Sequence, residues 1–223
     1  FLLSRQPEPD FKFDQLQDAE ILGGRIGGVP EMTLEYVLKT NGLDIGVDDA
    51  SKSVNVRTDI QFSAMAGAFV AGEGDYVSLF EPTATSLEKE GKGYIVASIG
   101  AQSGSIPYTA YSASKSYLSE QPEVIQHFTN AIYRGQQYVQ THSAEEIAQS
   151  IHPYFTEIEM DDLVVVVERY KSIDAWNHDP IFGQTGFEKL MDVMALAGQL
   201  DQRADYATIV NTAFAEKAVE ALQ

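Results

Sequence analysis

The chain contains no cysteine. A disulfide framework, a thiolate metal site and a thiol nucleophile are therefore excluded, although this absence does not fix the compartment. Basic residues are scarce: 15 Lys and Arg stand against 33 Asp and Glu, a net charge of −18. Phosphate backbones are bound by an excess of cations, so no nucleic-acid partner is expected. Long apolar runs are missing too, and nothing approaches the ~18 residues of a membrane span. No signal-peptide pattern is visible, and the first residues, FLLSRQPEPDFKF, include no methionine. FLLSR reads as an internal strand, so an N-terminal piece is expected to precede it. The four histidines, His127, His142, His152 and His178, show no metal-ligand spacing with acids or with each other.

What is present is ordinary for a globular chain: 44% apolar and 22% charged residues. At 223 residues it can form one large domain or two lobes, and can bury roughly 70% of its unfolded surface. The first half alternates strands and helices. Strands are read at 19–24, 53–60, 75–80 and 93–99. Helices lie between them, the first placed by Pro30 at its start and Asn41-Gly42 at its stop. Such alternation predicts an α/β fold with a mostly parallel sheet. The second half reads as helical. A long helix covers QPEVIQHFTNAIYRGQQYVQ, with Val124, Phe128, Ile132, Tyr138 and Val139 on one stripe. Ser143 with Glu146, and Thr185 with Glu188, read as capping boxes. The valine run of DDLVVVVERYKSI is assigned to a helix because Leu163, Val166, Val167 and Tyr170 share a face. A last helix is predicted from about Asp205 to Leu222.

One stretch raises an enzymatic alternative. Tyr111 and Lys115 stand four apart in YSASK, and Ser98 stands thirteen before Tyr111. This is the Ser…Tyr-x-x-x-Lys spacing of short-chain dehydrogenases, in which Tyr111 would be the general acid–base, Lys115 its activator and Ser98 a carbonyl hydrogen-bond donor. The rest of the chain departs from that pattern. The glycine turn GGRIGGVPE has Val29 where the third glycine of a cofactor loop belongs. It lies too few strand–helix units before Tyr111, and Pro122 would break a long helix carrying Tyr111 and Lys115.

A second resemblance runs over nearly the whole chain. FDQLQDAEILGG, PEMTLEYVLKTNGLD, AMAGAFVAGEGDY, Glu81-Pro82, LEKEGKGYIVAS and PEVIQHFTNAIYRGQQYV follow one another in the order and spacing seen in extracytoplasmic solute-binding proteins of ABC importers. The chain is most similar to the group serving sulfonates, nitrate, taurine and thiamine-precursor pyrimidines. Asp18, where glycine is usual, is a small departure. The resemblance implies a two-lobe periplasmic-binding-protein type 2 fold. Residues 14–106 would form a complete lobe two. Residues 1–13 and 107–223 would supply hinge strands and a partial, mostly helical lobe one, with FLLSR and IPYTAYSAS as neighbouring crossing strands. It implies no enzymatic activity and no cofactor. It also implies a small-molecule ligand, an ABC permease as partner, an extracytoplasmic location and a lipid anchor on a missing N-terminal part. Without that part the chain is expected to dimerise, swap or aggregate through an unpaired sheet edge. A pyrimidine-precursor synthase of similar fold would need a cysteine-rich iron site, which this chain lacks.

Ligands of such folds sit where strands end and helices begin. The expected binding residues are Gly27, Gly28, Pro30, Glu31, Met32 and Thr33 in GGVPEMT, Gln61 and Phe62 in IQFS, and Glu81 before Pro82. Tyr108 and Trp176 are candidate aromatic walls. A first-turn acid such as Glu31 also stabilises a helix with no functional role. Inside a cleft it would favour a ligand carrying an amine or ring N–H over a bare anion.

Overall fold

A computed structural model describes residues 1–222. The chain divides into two units: Phe1–Ile106 with Met191–Asp201, and Pro107–Leu190 with the chain from Gln202 onward.

The first unit alternates β1 (Leu2–Ser4), β2 (Glu20–Leu22), α1 (Val29–Thr40), β3 (Ile45–Val47), β4 (Val54–Arg57), α2 (Phe62–Ala71), β5 (Tyr76–Ser78), α3 (Thr83–Lys89), β6 (Tyr94–Ala97) and α4 (Ile99–Ser103). The strands form a six-stranded sheet in the order β3-β4-β2-β5-β1-β6. β3, β4, β2 and β5 run parallel, and β1 is antiparallel to both β5 and β6. The predicted α/β class and parallel-rich sheet are therefore present. Neither β3, which has Gly46 at its centre, nor α4, which is five residues long, is among the elements expected from the sequence. α4 forms because Ser98 Oγ accepts the Ala101 amide at 3.1 Å.

Successive strand residues point to opposite faces, and here they feed two cores. Ile21 and Leu2 pack with Leu34, Val37 and Leu38 of α1 and with Ile99 of α4. Their neighbours Leu22 and Leu3 pack with Met65 and Phe69 of α2 and with Ala84 and Leu87 of α3. The unit is thus three-layered, with α1 and α4 on one face and α2 and α3 on the other.

The guanidinium of Arg5, just after β1, closes the end of α2. It donates to Phe69 O at 2.8 Å, Glu73 O at 2.7 Å and Gly74 O at 2.6 and 2.9 Å, and lies 4.4 Å from the Phe69 ring centroid. Phe69 O also accepts the C-cap amide of Gly72 at 3.0 Å, Glu73 and Gly74 follow the helix end, and a cation there complements the negative end of the helix dipole.

FLLSR is a strand, but its expected neighbour is not. Residues 105–114 carry no helix or strand. The physical reason is that both edges of β1 are already occupied, by β5 and β6, so no ladder remains for IPYTAYSAS.

The described part of the second unit is helical. It contains α5 (Lys115–Glu120), α6 (Pro122–Thr141), α7 (Ala144–Ile151), α8 (Met160–Ser172), the first residues of α9 (Gln184–Leu196), α10 (Tyr206–Ile209) and α11 (Ala213–Leu222). Pro122 separates α5 from α6, as its missing amide requires. Ser143 and Glu146 form the expected capping box on α7. Leu163, Val166 and Val167 are buried on one face of α8, and Leu163 and Val167 pack on Ala144, Ile147 and Ala148 of α7. Lys171 of α8 donates to Val139 O at 2.8 Å and His142 O at 2.6 Å, closing the end of α6.

Two expectations need correction. Thr185 lies inside α9, which starts at Gln184, so Thr185 and Glu188 make no capping box; Gln184 Nε2 reaches Glu188 at 2.7 Å instead. The predicted last helix is two, α10 and α11. Asn211 Oδ1 accepts the Ala213 amide at 3.0 Å and starts a new helix, because a short polar side chain competes with helix continuation.

Replacing Arg5 by Met should destabilise the first unit by about 1–3 kcal/mol, the scale of losing charge-assisted bonds to partly buried carbonyls. Arg5→Lys should recover only part of this, since an ammonium cannot span several carbonyls as a planar fork does. Urea unfolding of the three chains, followed by circular dichroism, checks both expectations.

Candidate binding site

β2 lies between β4 and β5 and runs parallel to both. The helix that follows β2 covers one face, and the helices that follow β4 and β5 cover the other. Adjacent parallel strands whose connections leave to opposite faces open a crevice at their carboxyl ends. Three loops meet at this edge: 23–28 after β2, 58–61 after β4 and 79–82 after β5.

The first loop depends on its glycines. Gly23 extends the ladder by donating to Arg57 O at 2.9 Å. A Cβ on Gly23 would lie 2.5 Å from Val56 Cγ1, so only glycine fits. Gly27 has φ of 71°, a conformation that costs glycine nothing, and a Cβ there would meet Gln199 Oε1 at 3.1 Å. Gly28 is the N-cap of α1, its amide bonded to Arg25 O at 3.0 Å, and Pro30 occupies the first turn.

Glu31 does not sit in the crevice as an open carboxylate. It is 1% exposed. Its Oε2 accepts the Gly27 amide at 3.0 Å, and its Oε1 is buried without a hydrogen-bond partner. Glu35, also buried, follows one turn later and takes Lys39 Nζ at 2.6 Å. Lys39 also donates to Leu196 O at 3.2 Å. The ammonium is thus bonded to Glu35, and no cation is bonded to Glu31. Burial, with Glu35 beside it, pushes the Glu31 carboxyl up to about 8. Met32 and Thr33 are buried as well, and Thr33 Oγ1 bonds back to Val29 O at 2.6 Å.

At the second and third loops, the fold brings two expected positions together. Gln61 caps α2 by its backbone and keeps an exposed side chain. Phe62 is 47% exposed, and its ring centroid lies 5.2 Å from that of Phe80. Gly24 of the first loop is against the same aromatic, with a would-be Cβ 3.9 Å from Phe62 Cδ2. Glu81 is half-buried and accepts the Thr85 amide at 2.9 Å, which commits one oxygen to the start of α3. Two further residues at this edge, Arg25 and Phe80, carry no signal of their own in the sequence. The available hint is that Arg25 interrupts a glycine-rich loop in a strongly acidic chain.

Tyr108 and Trp176 belong to the second unit. Tyr108 is exposed. Trp176 packs edge-on against Tyr170 at 5.6 Å, on the rim of the α7–α8 core. The dehydrogenase constellation is not assembled. Ser98 Oγ is engaged as the cap of α4. Tyr111 precedes α5 and packs on Phe128 at 4.8 Å, so Tyr111 and Lys115 do not share a helical face. Among the described residues no group of His, Asp and Glu is placed to hold a metal ion.

The Glu31 carboxyl yields a test. A carboxyl with a raised pKa in the fold stabilises it when protonated. That stability is complete below the ordinary value of ~4.3 and is lost as pH rises through about 8. Glu31→Gln, which keeps the neutral shape, should therefore gain on the order of 1–3 kcal/mol over the parent above that pH. The two chains should converge near pH 5. Denaturant unfolding at a series of pH values checks this.

Comparison with known proteins places this arrangement. Over 97% of its residues the chain aligns with YtlA, a candidate binding protein of Bacillus subtilis, at 39% identity; it spans 64% of that relative's length. Solved structures share the fold at lower identity. One is the periplasmic sulfonate-binding protein SsuA of a candidate sulfonate ABC transporter from Methylobacillus flagellatus, with a TM-score of 0.67 and 17% identity over 100% of this chain and 66% of that one. Another is the ligand-binding component of an ABC-type import system from Staphylococcus aureus, with a TM-score of 0.67 and 16% identity over 97% of this chain and 69% of that one. A third is the alkanesulfonate-binding protein SsuA of Xanthomonas axonopodis pv. citri, with a TM-score of 0.62 and 15% identity over 93% of this chain and 67% of that one. The sequence profile of the NMT1-like family matches residues 23–152, more than half of the chain and the whole strand-edge region just described, and the chain belongs to the NMT1-like family.

Proposed function

We propose that this chain acts in a solute-binding component of an ABC import system. In this reading it captures a small polar solute, sulfonate, taurine-like or pyrimidine-like, and delivers it to a permease without altering it. The observation that carries the reading is the crevice at the carboxyl ends of β2, β4 and β5. There a glycine loop, an exposed amide at Gln61 and an exposed aromatic at Phe62 converge. Family membership and the fold shared with import-system binding proteins support it.

Residues 14–106 form one lobe of this proposed protein, and the second unit contributes the helical part of the other. Tyr108 and Trp176, in the second unit, remain proposed ligand-binding aromatics. The location is extracytoplasmic, with tethering by a lipid-modified N-terminal part.

Thermal unfolding of the intact protein tests the reading against taurine, alkanesulfonates, nitrate, aminopyrimidines, riboflavin, NADH and NADPH. A solute at a hundred times its Kd should add about 2.7 kcal/mol of stability, and it should be recovered chemically unchanged. A shift confined to nicotinamide nucleotides, with turnover, would overturn the reading.

A further inference from the structure

The first 106 residues contain three arginines, and two of them are saturated. Arg5 is spent on the end of α2. Arg57 is held by Asp59 at 2.8 Å, Glu73 at 3.0 Å and Glu20 at 3.1 Å. Arg25 is exposed and has no side-chain hydrogen bond or ion pair among the described residues. In a chain of net charge −18, leaving an arginine without an acid is a conspicuous choice.

Its position makes the imbalance larger. Arg25 stands in the loop after β2, and its carbonyl takes the amide of Gly28, the N-cap of α1. A cation beside the positive end of a helix is unfavourable unless an anion compensates. The acid of the first turn, Glu31, does not compensate. It is buried, turned onto the Gly27 amide and packed beside Glu35. The same loop meets an apolar surface, because Gly24 lies against Phe62 and Phe62 against Phe80. The crevice edge therefore offers an uncompensated guanidinium and an exposed aromatic face within one loop cluster.

We propose that Arg25 sets the charge selectivity of the site by pairing with the anionic group of a flat aromatic solute, a carboxylate or sulfonate, whose ring packs on Phe62. The inference rests on the solute-binding reading and narrows it. A guanidinium matches a two-oxygen anionic face with parallel N–H bonds, and a ring stacked on Phe62 gains what a short aliphatic sulfonate cannot.

Calorimetric titration of the intact protein with benzoate, benzenesulfonate, neutral benzamide and taurine tests it. The set is measured on the parent, Arg25→Gln, Arg25→Lys and Phe62→Leu. Benzoate or benzenesulfonate should bind, whichever is tighter naming the head group, and benzamide should bind at least roughly tenfold more weakly. Arg25→Gln should weaken the aromatic anion by roughly 10- to 100-fold and erase the preference over benzamide. Arg25→Lys should recover only part, because it loses the fork. Phe62→Leu should weaken the aromatic anion more than taurine. Circular dichroism should show an unchanged fold for the Arg25 variants, since the side chain is exposed. Equal binding of benzoate and benzamide, or an unchanged Kd in Arg25→Gln, would overturn the proposal. Tight binding of taurine, nitrate or a pyrimidine with no aromatic anion bound would also overturn it and leave the solute-binding reading standing. No binding by any member of either solute set would remove that reading and this inference together.

Discussion

Strand β2 is the constraint on which the first unit depends. Three residues, Glu20 to Leu22, hydrogen-bond in parallel to strands on both sides. Ile21 anchors the core under α1, and Leu22 anchors the core under α2 and α3. Because a strand's side chains alternate, a one-residue slip would exchange the two cores and turn Glu20 inward. Parallel pairing on both sides also forces the connections out at one edge. The crevice is a consequence of that topology rather than of any single side chain.

Polar groups inside this unit are matched with uneven generosity. Arg5 and Arg57 have more partners than a single charge requires, while of the neighbouring buried acids Glu31 and Glu35 only Glu35 takes the lysine, Lys39. A second buried carboxylate would be an unpaired charge in a medium of low dielectric, so burial, with Glu35 beside it, favours the neutral form of Glu31. This moves the acid out of the electrostatics of the crevice. It also reverses the sequence-level expectation that Glu31 would repel an anion. In the loop after β2 the exposed charge is that of Arg25.

The helical unit is held by a different device. Four glutamines along α6 each donate a side-chain amide to a distant carbonyl: Gln126 to Phe214, Gln136 to Asp179, Gln137 to Leu222 and Gln140 to Trp176. These bonds tie later segments to one long helix where few large apolar residues are available. Val124 and Phe128, on the stripe read from the sequence, remain more than two-fifths exposed at 48% and 44%. Tyr138 and Val139 at the other end of that stripe join the α7–α8 core.

The sequence alone determined the local elements wherever their signal was local. Pro30 and Pro122 set helix starts, Ser143 and Glu146 set a cap, and the alternation of short strands with helices set the α/β class. The strand–helix turn at Gly27–Thr33 was also legible, since glycine and proline punctuate the chain by their own backbone limits. Where the signal was weak, it failed: β3 has glycine at its centre, which lowers its strand character, and the break at Asn211 rests on one side-chain bond. Tertiary structure decided what pairs with what. It placed FLLSR between β5 and β6 and left IPYTAYSAS without a ladder. It buried Glu31, set Phe62 against Phe80 and left Arg25 unpaired, because burial, ring contact and charge compensation depend on residues distant in sequence, which periodicity and spacing cannot register.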